Sequence, residues 1–242
     1  MSSDPNINIG LDDHVSIIGA SFFHGIAALC QFLLQCADRD SIARSDESMP
    51  RHYENAYCIS ICVLAIAAVE SAETRIRFLE EGLEYSAPNG QFTWLCKEYP
   101  TKKIIADELA FVRGSILHNH LYKIEQGWVS DKRIISNIQK RAASGDGKFD
   151  KFVDPTTYKT KALDINVIPS QIRFLDVIHV LDAVSDLLSV LNDRSKEQLG
   201  FMSVSIALGN ERGLKLGDLI LRLKKRLETY QADHETSNDS DN

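Results

Sequence analysis

Apolar residues recur at three- and four-residue steps along much of the chain, which is the period of an amphipathic helix. Asp12 and Asp13 suit the N-terminus of a first helix. A charged connection over residues 38–50 separates it from a second helix, predicted from about Tyr53 to Glu81. The first half of the second helix is apolar nearly all round, so we expect it to lie at the centre of the core. The apolar face of the first helix comprises Ile17, Ile18, Phe22, Phe23, Ile26, Leu29, Leu33 and Leu34.

A third long helix is predicted after a loop over residues 86–100. This loop contains two prolines and one glycine around one short apolar turn. Thr101 suits the N-cap of this helix. We expect the helix to run to about Gln126 and to end at Gly127.

Two more helices are predicted in the last third of the chain. Ser170 suits the cap of a helix that runs to Asn192, and another helix spans about Leu214–Thr229. The acidic tail Asp233–Asn242 is predicted to be disordered. The helix that begins at Ser170 carries one apolar face, formed by Ile172, Leu175, Ile178, Leu181, Val184, Leu187, Leu188 and Leu191.

The pattern is weaker between the third helix and Ser170. Residues 131–143 indicate a short basic helix, followed by a glycine-rich turn at 144–147. Residues 148–169 are rich in Thr, Val, Phe and Tyr and contain two prolines, which favours an extended segment and a small hairpin.

Long helices joined by short loops predict an all-α fold, an up-and-down bundle of four to five long helices with a short extended insertion. The length suits a single domain over residues 1–242. Its core is expected at about 12–126 and 170–229, and the insertion at about 128–169.

The formal net charge of -7 and the pI of about 5.5 argue against broad electrostatic capture of nucleic acid. RNA binding would therefore need a local cleft. The most basic stretch of the chain lies within residues 128–169 and is expected either to flank such a cleft or to form a solvated surface. Its basic residues are Lys132, Arg133, Lys140, Arg141, Lys148, Lys151, Lys159 and Lys161.

The cysteines are odd in number and lie in apolar surroundings, which is typical of free thiols in a reducing cytoplasm. Cys58 and Cys62 have the spacing of a metal pair, but no further Cys or His ligands complete a zinc site. We therefore expect no metal and no cofactor. The five cysteines are Cys30, Cys36, Cys58, Cys62 and Cys96.

The polar, acidic start of the chain lacks the basic region of a signal peptide. The stretch Val15–Ala37 carries no formal charge, but His24 and two glutamines make a poor lipid-facing surface. Ala56–Val69 is more apolar and too short to span a bilayer. Both stretches are expected to be core helices of a cytoplasmic protein without a membrane partner.

Arg113, His118 and His120 fall within about two turns near the end of the third predicted helix. A guanidinium can hold a phosphate through two hydrogen bonds, and an imidazole can move protons near neutral pH. The combination suits phosphodiester cleavage without a metal. The structural alternative is an ion pair of Arg113 with Asp107 or Glu108, with both histidines in the core or on the helix surface.

An ideal helix separates the two histidines. His120 is nearly eclipsed with Arg113, about 20° off, whereas His118 points about 140° away from the arginine. The two histidines diverge by about 200°, so a regular helix cannot bring them to one metal. Gly114 inside the helix costs about 1 kcal/mol relative to alanine and allows either a close backbone approach or a local bend.

The stretch from Phe111 to Tyr122 resembles the Arg-x4–6-His segment of the HEPN superfamily of helical ribonucleases and nucleotide-binding proteins. Arg113 fits it with His118 in the x4 register and with His120 in the x6 register. The apolar helix around Glu70 is similar to the preceding HEPN helix, which often carries an acidic residue facing the site. The resemblance covers roughly residues 12–126.

This resemblance implies a metal-independent endoribonuclease that acts as a toxin or an anti-phage defence effector. His118 or His120 would be the general acid or base, and Arg113 would stabilise charge on the phosphate. We prefer His118 as the base, although the helix angle favours His120. HEPN sites usually form across a twofold axis, so the resemblance also implies a homodimer, RNA as substrate, and an antitoxin or other defence protein as a possible partner.

One position departs from the HEPN pattern. HEPN ribonucleases usually carry a polar residue directly after the arginine, and here that residue is Gly114. Asn119 is a candidate to supply a polar group instead. The departure favours an alternative, a catalytically inactive HEPN-like module that dimerises and binds nucleotide, RNA or a protein. A third reading is an unrelated helical scaffold in which the spacing of Arg113 and the histidines is accidental.

Overall fold

The structure is a computed structural model. It describes residues 11–36, 52–81, 92–117, 122–129, 132–140, 147–195 and 201–238. Within these ranges the chain forms seven α-helices and two antiparallel two-stranded sheets. The helices are α1 (Leu11–Cys36), α2 (His52–Glu81), α3 (Thr93–Glu98), α4 (Lys103–Leu117), α5 (Lys148–Phe152), α6 (Phe174–Arg194) and α7 (Leu216–Asn238). The strands are β1 (Tyr122–Val129), β2 (Lys132–Lys140), β3 (Ile206–Leu208) and β4 (Glu211–Leu214).

The described residues are mostly helical, which confirms the predicted all-α class. The long helix α2 packs against α1, α4 and α6, and α7 packs on α6. One face of the middle of α2 is fully buried, whereas Val63, Leu64 and Ala67 between the buried positions are partly exposed. The core side chains contributed by α2 are Cys58, Ile61, Cys62, Ala65, Ile66, Ala68, Val69, Ala72 and Ile76.

Among the described helices, only the stretch Tyr53–Phe78 of α2 is long and apolar enough to cross a membrane. Length and composition alone give this result, and the core helix of a soluble protein passes the same test. One face of this stretch forms the centre of the core. Such packing is the arrangement expected of a core helix.

The third predicted helix is shorter than expected. It ends at Leu117 as α4, and the chain forms strand β1 from Tyr122, so the predicted helix to Gln126 is wrong. Gly127 does not close a helix but pairs with Ile134 of β2. This part of the chain forms a strand and not a helix because its partner β2 is rich in β-branched isoleucine, and such residues fit a pleated surface.

The basic helix predicted over residues 131–143 is also wrong, because Lys132–Lys140 forms β2 and pairs with β1. Extended structure does occur in the predicted insertion, but the hairpin lies earlier than expected. Residues 148–169 instead contain the short helix α5 and two isolated β-bridges.

Two features near the C-terminus differ from expectation. The hairpin of β3 and β4, which packs on α1 through β3, was not predicted. Helix α7 continues to Asn238, so the prediction of disorder is wrong for residues 233–238. No glycine or proline interrupts this stretch, and the helix can therefore extend through it.

Candidate functional site

The packing of α2 against α4 brings together two predicted site residues. Nη2 of Arg113 on α4 lies 3.4 Å from Oε2 of Glu70 on α2. Both side chains are about one-quarter exposed, 28% for the arginine and 25% for the glutamate. Each lies next to a buried residue, Val112 on α4 and Val69 on α2, which are part of the interior. The pair therefore sits at the solvent-facing margin of a helix–helix contact.

Arg113 does not pair with either acid expected in the structural alternative. The carboxylate of Asp107 lies 3.2 Å from Nζ of Lys103 and 3.4 Å from Nζ of Lys151. The carboxylate of Glu108 is buried and accepts hydrogen bonds from the backbone N–H groups of residues 162 and 163. The predicted local ion pair is therefore wrong, because both neighbouring acids are engaged elsewhere.

The guanidinium of Arg113 has donor capacity left over. Its Nε is buried, and no hydrogen-bond partner for this atom lies within the described part of the chain. The contact of 3.4 Å joins one terminal nitrogen to one oxygen of Glu70. A guanidinium carries five N–H groups, so a contact of this kind leaves it able to take an oxyanion such as a phosphate.

Glu73 lies one turn after Glu70 on α2 and is a residue that the sequence reasoning missed. It is buried, and its Oε1 accepts a hydrogen bond of 3.1 Å from the backbone N–H of Leu95. Burial raises the pKa of Glu73, while the Leu95 N–H and the nearby Arg77 act in the opposite direction. The spacing Glu70, Glu73, Arg77 on one helix face was the available signal.

Along α2 these residues form a row of charges, in which two acids, Glu70 and Glu73, are followed by the base Arg77. The charge of Glu70 raises the pKa of Glu73, and the charge of Arg77 lowers it, so the three groups interact electrostatically. Arg113 joins the row through Glu70. The arrangement can fix the position of Arg113 and can balance its charge before an anion binds.

His118, Asn119 and His120 lie outside the described residues. They fall between α4, which ends at Leu117, and β1, which begins at Tyr122. The predicted angles between Arg113 and the two histidines assumed a helix that continues to Gln126, and the helix ends at Leu117. The choice between the two histidines as general base stays a prediction.

Gly114 follows Arg113 within the regular part of α4. A Cβ built on this glycine would meet nothing within 4 Å, so no close approach of another chain segment requires glycine here. The expectation of close backbone approach is wrong for the described residues. The space is open enough to accept a Cβ atom without displacing a neighbour.

Three lysines of the basic stretch make local contacts: Lys151, Lys159 and Lys161. Lys151 pairs with Asp107 and lies 4.4 Å above the ring of Phe152, measured to its centroid. Nζ of Lys159 lies 3.4 Å from Asp164. The ammonium group of Lys161 donates a hydrogen bond of 2.8 Å to the carbonyl of residue 150. These contacts favour the reading of this part as a structured surface.

No group of three or more His, Cys, Asp or Glu residues in the described ranges is arranged to hold a metal ion. Burial raises the pKa of the Cys30 thiol to about 12 and the pKa values of Cys58 and Cys62 well above the ordinary value. Deeply buried thiols with raised pKa values are poor metal ligands, because a ligand sulfur must lose its proton.

Comparison with known proteins gives no assignment. No protein-family model, no curated protein and no solved structure matches this chain.

Proposed function

We propose that the protein is a metal-independent endoribonuclease of the HEPN type, acting in the cytoplasm as a toxin or an anti-phage defence effector. One observation supports this above the others. Arg113, the arginine of the Arg-x4–6-His segment, is paired at 3.4 Å with Glu70, the acidic residue expected on the preceding helix. The residues that follow α4 include both candidate histidines.

In this proposal a histidine, His118 or His120, removes the proton from a ribose 2′-OH. The oxygen then attacks the adjacent phosphorus, the bond to the 5′-oxygen breaks, and an acid returns a proton to that oxygen. The products are a 2′,3′-cyclic phosphate and a 5′-OH. Arg113 stabilises the negative charge that develops on the phosphate, and Glu70 orients the guanidinium. Asn119 supplies a further polar group.

The proposed active form is a homodimer in which two α4 segments meet across a twofold axis. The position of Arg113 supports this, because its side chain is 28% exposed and this part is open to a second copy. An antitoxin or another defence protein would control the activity. The mass of the particle in solution, measured by light scattering, tests the dimer separately from catalysis.

The decisive experiment is RNA cleavage in EDTA. The wild-type protein, Arg113→Ala and the double variant His118→Ala/His120→Ala are incubated with mixed RNA, and the new ends are mapped. Arg212→Ala is the matched control, because Arg212 is exposed on β4, in the hairpin that packs on α1. Cleavage that leaves cyclic phosphates, is kept in the control and is lost in both site variants supports the proposal.

The second candidate is an inactive HEPN-like module that dimerises and binds nucleotide, RNA or a protein. The observation that favours it is Gly114, because the polar residue usual at this position in HEPN ribonucleases is missing, although a Cβ here would meet nothing within 4 Å. A folded dimer without cleavage activity supports this candidate. Gly114→Asn then tests whether the missing side chain is the reason, since cleavage should appear in that variant.

A further inference from the structure

The segment between α5 and α6 makes an irregular path over the helices that carry the candidate site. Residues 153–172, here called the clamp segment, contain two isolated β-bridges and a short 3-10 turn at Pro169–Gln171. Twenty residues with so little regular structure are uncommon within a compact domain and are often functional. The clamp segment contacts three helices: α2, α4 and α6.

The first contact of the clamp segment is with Glu108 on α4. The buried carboxylate accepts hydrogen bonds from the backbone N–H of Ala162, at 3.0 and 3.2 Å, and from the backbone N–H of Leu163, at 2.9 Å. Hydrogen bonds to an ionised acceptor are stronger than neutral ones, and a buried acceptor is costly to leave unpaired. Glu108 lies five residues before Arg113 on the same helix.

Apolar packing reinforces this attachment one turn further along α4. Directly before the clamp segment, the ring of Phe152, the last residue of α5, has its centroid 5.7 Å from that of Phe111. Phe111 also packs against a small buried cluster formed by Val153, Val167 and Ile168. The clamp segment therefore contacts α4 both at Glu108 and immediately before Arg113.

The second contact of the clamp segment is with α2. Nδ2 of Asn55 donates hydrogen bonds of 2.8 Å to the carbonyl oxygens of Pro169 and Ile172. A third contact reaches α6, where the Asp176 carboxylate accepts hydrogen bonds from the backbone and side chain of Asn166. The clamp segment is thus bonded to both helices that bear the Arg113–Glu70 pair.

We propose that the clamp segment sets the position of α4 against α2, and that Glu108 is the positioning residue through which it holds Arg113. This inference rests on the proposed function, because it assigns Glu108 to the same site. Glu108 acts through the backbone of residues 162 and 163 and does not itself touch the RNA.

The test compares Glu108→Gln with Asp107→Asn. The two variants are neighbours on α4, and each replaces one carboxylate by an isosteric amide, but Asp107 contacts lysine side chains and not the clamp backbone. Glu108→Gln replaces the ionised acceptor by a neutral amide whose NH₂ group cannot accept, so the hydrogen bonds to the clamp backbone are weakened only in this variant. Circular dichroism first establishes that both variants are folded.

Hydrogen exchange and NMR give a readout that does not depend on RNA cleavage. In Glu108→Gln we expect the amides of Ala162 and Leu163 to exchange about tenfold faster. We also expect the Nε–Hε signal of Arg113 to shift or to exchange faster, because α4 moves against α2. In Asp107→Asn both signals should stay as in the wild type.

Cleavage kinetics give the second readout. Glu108→Gln should lower kcat by about ten- to a hundredfold, as expected when a catalytic group is misplaced by about 1 Å, with little change in KM. If the wild type does not cut RNA, the proposed function fails. The exchange data then still show whether the clamp segment positions α4 against α2. If Glu108→Gln loosens residues 162 and 163 but leaves the Arg113 signal unchanged, the positioning role is overturned.

Discussion

Nη2 of Arg113 on α4 lies 3.4 Å from Oε2 of Glu70 on α2, and this ion pair links two helices that are distant in sequence. Each residue was a candidate from sequence, Arg113 through its spacing to the histidines and Glu70 through the resemblance of its helix to a HEPN helix that often carries an acidic residue. Their contact supports a common site. Its energetic and functional consequences can be measured.

The Arg113–Glu70 pair should contribute little to stability and much to activity. Both side chains are about one-quarter exposed, so a double-mutant cycle with Arg113→Ala and Glu70→Gln should give a coupling energy of about 0.2–1 kcal/mol in urea unfolding. In the cleavage assay Arg113→Ala should lower kcat by about 10²–10³-fold. Glu70→Gln should lower it less, because the guanidinium remains. An equal loss in the two variants would argue against an orienting role for Glu70.

Gly114→Ala should stabilise the protein by about 0.5–1 kcal/mol, because glycine inside a helix has a conformational entropy cost and the added Cβ meets no neighbouring segment. The measurement is the free energy of unfolding in urea. Gly213→Ala is the matched control: Gly213 has a φ of +79°, so its substitution should destabilise by about 1–2 kcal/mol. Destabilisation by Gly114→Ala would mean that α4 needs the glycine.

Glu73 should make stability fall as the pH rises. Its pKa is raised above the ordinary value of 4.5, chiefly by burial, so the folded protein binds the proton more tightly than the unfolded chain. The charged Glu73 carboxylate destabilises the folded protein. This destabilisation is absent below the pKa of Glu73 in the unfolded chain, grows as the pH rises towards its raised pKa in the folded protein, and is complete above that pKa. The free energy of unfolding of Glu73→Gln, minus that of the wild type, should therefore increase as the pH rises above about 4. A difference in the free energy of unfolding that stays constant as the pH rises would contradict a raised pKa of Glu73.

Four buried cysteines should be unreactive in the native protein: Cys30, Cys58, Cys62 and Cys96. Burial raises the pKa of Cys30 to about 12 and that of Cys96 to about 11, and the values of Cys58 and Cys62 are raised well above the ordinary one. Because the thiolate is the reactive form, labelling by a thiol reagent at neutral pH should follow unfolding. Mass spectrometry of peptides labelled over time measures the rates, with urea-unfolded protein as the control. Rapid native labelling of Cys58 would show that its surroundings open.

The sequence predicted the long helices best where periodicity was strong. The apolar runs of α1, α2 and α6 were placed within a few residues, because a helix that buries one face must repeat its apolar positions. The hairpin of β1 and β2 was missed. Its segments mix lysine with isoleucine without a clear alternation, and such segments pair only when a partner strand lies alongside.

By itself the sequence determined the all-α class, the central place of α2 and the candidate residues Arg113 and Glu70. Only the tertiary structure decided which charges meet. Asp107 and Glu108 are close to Arg113 in sequence, but Asp107 faces lysines and Glu108 is held by the clamp segment, so the partner of Arg113 is Glu70. Ion pairing depends on distances in space, and the packing of α2 against α4 sets those distances.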